Sequence, residues 1–275
     1  MPAIRLVDRS VISVSGPDAR SFLQGLVTCD MARVAPDAPG FGALLTPQGK
    51  ILFDFLVVAH DDRILLDTSR EKAGDLVKRL GFYKLRAKVE IADLSAESAG
   101  SEGLAVVALF GADAPAPPAD AIVYADPRAA TLGRRAILSS AGAQAIITGD
   151  DAAYEAHRIA CGAPKGGVDF AYGDAFPHET NMDLLNGVAF DKGCYVGQEV
   201  VSRMQHRGLA RKRIVRVMVT GDAPAGTEIR AGEVAVGTLG GVEGGRGLAT
   251  LRLDRLEGAS DLALMAGATR VTVVG

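Results

Sequence analysis

The run Ile51–Val58, ILFDFLVV, is apolar on both of the faces a strand presents, and it follows the turn-forming Pro47-Gln48-Gly49. A β-branched and aromatic run without polar alternation belongs in a central strand covered on both sides. Its one interior carboxylate, Asp54, reads either as a buried aspartate satisfied by backbone donors or as a carboxylate that grips a ligand. Upstream, Ser10 to Ser15 reads as a short strand. Gly16-Pro17-Asp18 then opens a helix whose apolar stripe is Ala19, Phe22, Leu23 and Leu26. Downstream, Thr68-Ser69-Arg70-Glu71 fits a capping box, and Ala73, Leu76, Val77 and Leu80 continue at helical spacing to Gly81.

Residues 85 to 110 alternate strand-like runs with a Ser/Glu/Gly stretch, 114 to 121 read as a proline-rich loop, and a module ends near Gly149. Asp150 or Asp151 can cap a further helix carrying Tyr154, His157, Arg158 and Cys161 on one face before Gly162 and Pro164 stop it. That face is either the wall of a pocket or the amphipathic side of a half-exposed helix. From residue 211 onward the pattern is β: Arg213 to Thr220, Glu233 to Leu239, Leu248 to Leu253 and Arg270 to Val274, separated by glycine-rich turns, predict a small antiparallel barrel. The glycines at 237 to 247 form no phosphate-binding motif, and His178-Glu179 fails as a zinc motif because Met182 stands where the second histidine would be.

Composition enters as a boundary. The chain has 275 residues, 48% apolar and 23% charged, with a net charge of −3, which suits a soluble globular protein of two or three modules. No apolar run approaches the roughly 20 residues of a spanning helix, and charges interrupt the N-terminus MPAIRLVDRS, so a cytoplasmic protein without membrane partners is expected. Cys29, Cys161 and Cys194 are odd in number and far apart, which suits a reducing compartment, and the absence of CxxC argues against a preformed zinc or thioredoxin-type site.

The densest chemistry lies in residues 191 to 208, DKGCYVGQEVVSRMQHRG. A lone cysteine is more often buried and structural. Here Cys194 stands between Gly193 and Tyr195 with Lys192 two positions upstream, where an ammonium could favour the thiolate. A short helix closed by Gly208 would start beside it and add the positive end of its dipole. Glu199 and Arg203 can pair four residues apart on that helix.

KGCYVGQE followed by SRMQHRG closely resembles the signature of the YgfZ family of folate-binding proteins linked to iron–sulfur clusters. The match runs through Lys192, Gly193, Cys194, Tyr195, Gly197, Gln198, Glu199, Arg203, Arg207 and Gly208, and the similarity extends through VISVSGPDARSFLQGLVTCD, LLTPQGKILFDFLVV and RIACGAP. The resemblance implies an α+β, three-module fold of the aminomethyltransferase (glycine cleavage T-protein) type, ring-like, with a C-terminal antiparallel β-barrel. The modules would be 1–47 plus 150–208, 48–149, and 209–275. It also implies a tetrahydrofolate pocket using Tyr154, Asp54 and Arg158. The function implied is support of iron–sulfur cluster assembly or repair in client enzymes, affecting tRNA modification indirectly. Cys194 and Lys192 would carry the chemistry, in transient contact with a cluster, on a monomer whose partners are folate and iron–sulfur proteins.

The runner-up is folate-dependent aminomethyl transfer. Against it, the paired aspartates of the transferase strand read Phe53-Asp54 here, and the transferase Arg-Leu-Glu-Ala-Gly segment reads Arg158-Ile159-Ala160-Cys161-Gly162, without its glutamate. Nucleic-acid binding draws on Arg203, Arg207, Arg211, Lys212, Arg213 and Arg216, a basic cluster too local and too poor in stacking aromatics to be expected to hold RNA directly.

Overall fold

The structure is a computed structural model describing residues 2–95, 102–111, 114–208, 210–256, 258 and 262–274, so most of the Ser/Glu/Gly stretch after residue 95 lies outside the described residues. The chain divides into two compact units, one of Met1–Leu45, Leu52–Asp151 and Leu185–Val196, the other of Thr46–Ile51, Ala152–Leu184 and Gly197–Gly275. No helix among the described residues is long and apolar enough to cross a membrane.

The first unit contains two antiparallel sheets. One has the order β3-β4-β5-β2-β6, built from β2 (Arg9–Ser15), β3 (Gly40–Leu45), β4 (Ile51–His60), β5 (Arg63–Ser69) and β6 (Glu90–Asp93). The run that is apolar on both faces, β4, is interior, as its pattern demands. Phe53, Phe55, Val57 and Ala59 share a core with Ile12, Val14, Ile64 and Leu66 of the neighbouring strands, Leu23 of α1 (Ala19–Gln24), and Leu76 and Leu80 of α2 (Arg70–Lys84). The alternate residues Asp54, Leu56 and Val58 are buried as well. The other sheet has the order β1-β7-β9-β8, from β1 (Ala3–Arg5), β7 (Leu104–Leu109), β8 (Ile122–Ala125) and β9 (Arg134–Ser139), with Ala143 of α3 (Ser140–Ile146) in its core.

One carboxylate joins the two sheets. Asp67 of β5 is fully buried and accepts from Arg9 Nε at 2.6 Å, from Arg135 Nη1 of β9 at 2.6 Å and from Tyr124 Oη of β8 at 2.9 Å. Asp126 takes Arg128 in a bidentate pair at 2.9 and 2.7 Å, with Arg135 Nε 3.3 Å away. Burial alone would raise both carboxyls, but the arginines outweigh it and hold Asp67 and Asp126 below the usual carboxylate range.

The second unit holds most of α4 (Asp151–Ala160), all of α5 (Gln198–Arg207), and a closed barrel in the order β10-β13-β12-β11-β14-β15. Its strands are β10 (Lys212–Thr220), β11 (Glu228–Ala231), β12 (Val234–Glu243), β13 (Arg246–Arg252), β14 (Leu264–Ala266) and β15 (Thr269–Val273), with a single helical turn α6 (Leu253–Leu256) after β13. Val217, Val219, Ile229, Val236, Leu239, Leu251 and Val271 fill it. Closure pairs the edges that an open sheet would leave exposed.

Three local expectations are corrected. The capping box does not form: the Thr68 hydroxyl donates to the Asp54 carbonyl at 3.0 Å, and Ser69, the residue before α2, makes no side-chain cap. The same helix continues past Gly81 to Lys84, because Tyr83 lands back on the core. Finally, α1 stops at Gln24, so Leu26 reaches the core from the following turn.

Candidate functional site

The signature run crosses the division between the two units, with Asp191–Val196 in the first and Gly197 onward in the second. In the first unit the approach to Cys194 is pinned from below by Thr28. This fully buried threonine donates its hydroxyl to the Gly187 carbonyl at 2.6 Å, accepts from Ala43 N at 2.8 Å, and takes Ala189 N on its own carbonyl at 2.9 Å.

Lys192 then turns inward. Its ammonium donates to the carbonyls of Gln24, Val27 and Cys29 at 2.8, 2.7 and 2.7 Å. An ammonium has three hydrogens, and three acceptors use them. Gln24 is the last residue of α1, so Lys192 also supplies the cation that a helix C-terminus favours. Burial draws the Lys192 pKa down, with the Cys29 thiol and the Asp30 carboxylate opposing. The expectation that Lys192 would steady a Cys194 thiolate is therefore corrected: its hydrogen bonds fasten the turn after α1.

Tyr195 is buried with its ring 5.3 Å from the same ammonium, and Val196 packs on the core of the five-stranded sheet. Between these anchors Gly193 and Cys194 are exposed. The segment is thus a tip held on both flanks by inward-facing neighbours, presenting one thiol to solvent. The other thiol of this neighbourhood, Cys29, is its opposite. Buried against Gly42, where a Cβ would come within 2.8 Å of its sulfur, it is pushed up to about 12 by desolvation despite the opposing Lys192.

In the second unit, α5 begins after Gly197, whose φ of 82° is the left-handed region glycine tolerates, and ends at Gly208, which donates its N–H to the Met204 carbonyl. The turn at Gly49 lies against its first residues, with Val200 Cβ 2.9 Å from where a side chain at Gly49 would begin. Glu199, Arg203 and Arg207 are exposed, Gln198 is half-buried, and among the described residues no ion pair joins Glu199 to Arg203. The helix holds its place through buried Val201 and through Gln205, 3.0 Å from His178 Nε2.

Tyr154 and Arg158 are both buried in the same unit. Arg158 Nη1 meets Asp169 at 2.7 Å and the Ala163 carbonyl at 3.2 Å, and its Nε meets Glu155 at 2.7 Å. Asp169 also accepts from Gly241 N of β12 at 2.7 Å. Arg158 thus ties α4 to the barrel, and its guanidinium is engaged by its own chain. In the first unit, Asp54 is buried on β4 and lends its field to Arg9. The basic cluster is likewise partly spent: Arg213 forms a bidentate pair with Asp183 at 2.6 and 2.8 Å, and Arg216 donates to the Ala160 carbonyl. Sequence reading missed Thr28 and the turn Gln24–Cys29, whose role is carried by backbone carbonyls that no motif displays.

Against known proteins, residues 211–274 match the family model described as CAF17, C-terminal beta-barrel domain. Human iron-sulfur cluster assembly factor IBA57, mitochondrial, is 31% identical over 297 residues, a match covering 96% of this chain and 81% of the human protein. The chain belongs to the IBA57 family. The IBA57 homologue of Mycosarcoma maydis is 37% identical over 225 residues, covering 75% of this chain and 54% of that protein, so the chain spans about half the length of this fungal relative. Glycine cleavage system aminomethyltransferase T from Bartonella henselae superposes with a TM-score of 0.75 over 99% of this chain and 84% of its own, at 15% identity, which shows the fold alone.

These matches give the resemblance read from the signature run its family, IBA57. They also correct the cytoplasmic expectation. The IBA57 relatives are named as mitochondrial, which points to mitochondria. Charge at an N-terminus and unpaired cysteines speak against an exported, disulfide-built protein, and they do not separate cytoplasm from an organelle interior.

Proposed function

We propose that this chain is an iron–sulfur cluster assembly factor in which Cys194 makes transient contact with the cluster as cargo. The observation that carries the reading is the placement of the Cys194 thiol, exposed on a tip whose flanking Lys192 and Tyr195 are buried. Membership in the IBA57 family supports it. In the proposed step the thiol gives its proton to water and the sulfur donates an electron pair to one iron, with no change of oxidation state. One thiolate cannot hold a cluster that calls for about four ligands, and among the described residues no group of three or more His, Cys, Asp or Glu is gathered for a metal. The remaining ligands must come from a carrier or client protein, so the contact is a hand-over and tRNA modification is affected only through such clients.

For tetrahydrofolate, the side chains that the signature resemblance assigns do not fit the task. Arg158 is engaged by Asp169 and Glu155, Asp54 is buried beside Arg9, and Tyr154 is buried with about 7% of its surface exposed.

The test is the activity of an iron–sulfur client, such as tRNA methylthiolation, in cells lacking the endogenous factor and resupplied with wild type or Cys194→Ala at matched levels. Because Cys194 is exposed, the variant should fold as wild type does. Restoration by wild type alone is expected. Equal restoration by both would end the proposal for the thiol.

A further inference from the structure

Among the described residues, the most solvent-exposed large apolar side chains are neighbours. Phe82 is 77% exposed and Leu85 is 89% exposed, at the C-terminus of α2 and in the turn that follows. Around them Lys78, Arg79, Lys84, Arg86 and Lys88 are also exposed, and residues 76 to 89 contain no acidic side chain, in a chain whose net charge is −3. Among the described residues only Lys78 of these five has an ion-pair partner, Asp75 at 4.0 Å. Tyr83 and Ala87 pack down on the core, so the turn is fixed while Phe82 and Leu85 project.

The backbone sharpens the point. Ala87 N donates to the Lys84 carbonyl at 2.7 Å, closing a turn whose first central residue is Leu85 at φ 42° and ψ −104°. That conformation lies near the first position of a type II′ turn, where glycine is the favoured residue. A bulky apolar side chain is therefore held where it strains the backbone and gains almost nothing from burial.

From this geometry we infer that the tip spanning residues 78–88 docks the protein on an anionic lipid bilayer surface. Projecting apolar side chains ringed by cations suit a soft interface, where the rings and chains enter the headgroup boundary and the cations meet the negative surface. A protein partner would need a broad, complementary face, and side chains exposed this fully offer none. A groove of about 540 Å³ beside the tip is lined by Lys84 and Lys88 but also by Asp62 and Glu90, so it is not built to hold one phosphate group. The attraction is to a charged surface.

Flotation of the full chain with vesicles tests this. Binding is expected to vesicles of equal parts phosphatidylcholine and phosphatidylglycerol, to fall by about tenfold or more on phosphatidylcholine alone, and to weaken as salt rises. The triple change Lys84→Gln, Arg86→Gln, Lys88→Gln should lower the partition coefficient about a hundredfold. Leu85→Gly should lower it about tenfold while leaving the melting temperature unchanged or higher, a combination that a merely structural leucine would not give. Absence of binding by wild type, undiminished binding by well-folded variants, or retention on polyglutamate in place of vesicles would each overturn the inference.

Discussion

At Lys192 the same residue type carries two incompatible expectations, and counting hydrogen bonds decides between them. An ammonium that activates a thiol must have a hydrogen to spend on it, whereas here the Gln24, Val27 and Cys29 carbonyls take all three. Lys192→Met keeps the buried stem and strands those carbonyls. Loss of a buried partner costs about 1–3 kcal/mol for each group that water cannot reach, so a loss of about 2–4 kcal/mol in urea unfolding is expected. Client activity should fall only as far as folded protein does. The thiols give a second residue-scale prediction. At neutral pH a maleimide should label Cys194 in the native protein and leave Cys29 untouched until unfolding, since burial pushes the Cys29 pKa up to about 12. Peptide mass mapping reads the outcome directly, and native labelling of Cys29 ahead of Cys194 would contradict the described tip.

Elements were legible in the sequence where periodicity is long, and illegible where a role depends on distant partners. The doubly apolar β4 announced itself as an interior strand, whereas β11 and β14, four and three residues long, are too short to show alternation. No local pattern could reveal that Arg9, Asp67, Tyr124 and Arg135, drawn from four strands, converge to fasten two sheets. That convergence has a measurable pH signature. Asp67 and Asp126 titrate below their unfolded values, so their stabilisation is complete above the unfolded carboxylate pKa of about 3.9 and is lost as pH falls through the lower folded values. Acid unfolding monitored by circular dichroism should therefore steepen below about pH 4. Asp67→Asn leaves buried Arg135 and half-buried Arg9 without their shared carboxylate and should cost about 3–5 kcal/mol at neutral pH. Tyr124→Phe should cost about 1 kcal/mol.

At the scale of the whole molecule, sharing the aminomethyltransferase fold does not by itself assign the aminomethyltransferase reaction, because function resides in particular side chains placed on a fold. The chain superposes on aminomethyltransferase T over 99% of its length, yet it has Phe53 where the transferase pattern has its first aspartate and Ala160 where the pattern has its glutamate. The acidic side chain that remains, Asp54, is buried on β4 near Arg9, with about 7% of its surface exposed. Arg158, one turn along α4 from Tyr154, is committed to Asp169 and thereby to the barrel. A transferase needs a group within hydrogen-bonding reach that can accept a proton as the carbon–nitrogen bond breaks. Supplied with tetrahydrofolate and an aminomethyl donor, the protein is therefore expected to form no methylenetetrahydrofolate above the uncatalysed background. Restoring the two acids as Phe53→Asp with Ala160→Glu should not create turnover, because Phe53 is a buried member of the sheet core and its replacement by aspartate places an unpaired charge there. Methylenetetrahydrofolate formation by the wild-type chain at a rate that scales with protein concentration would show that another group accepts the proton, and would return the molecule to the transferases whose fold it shares.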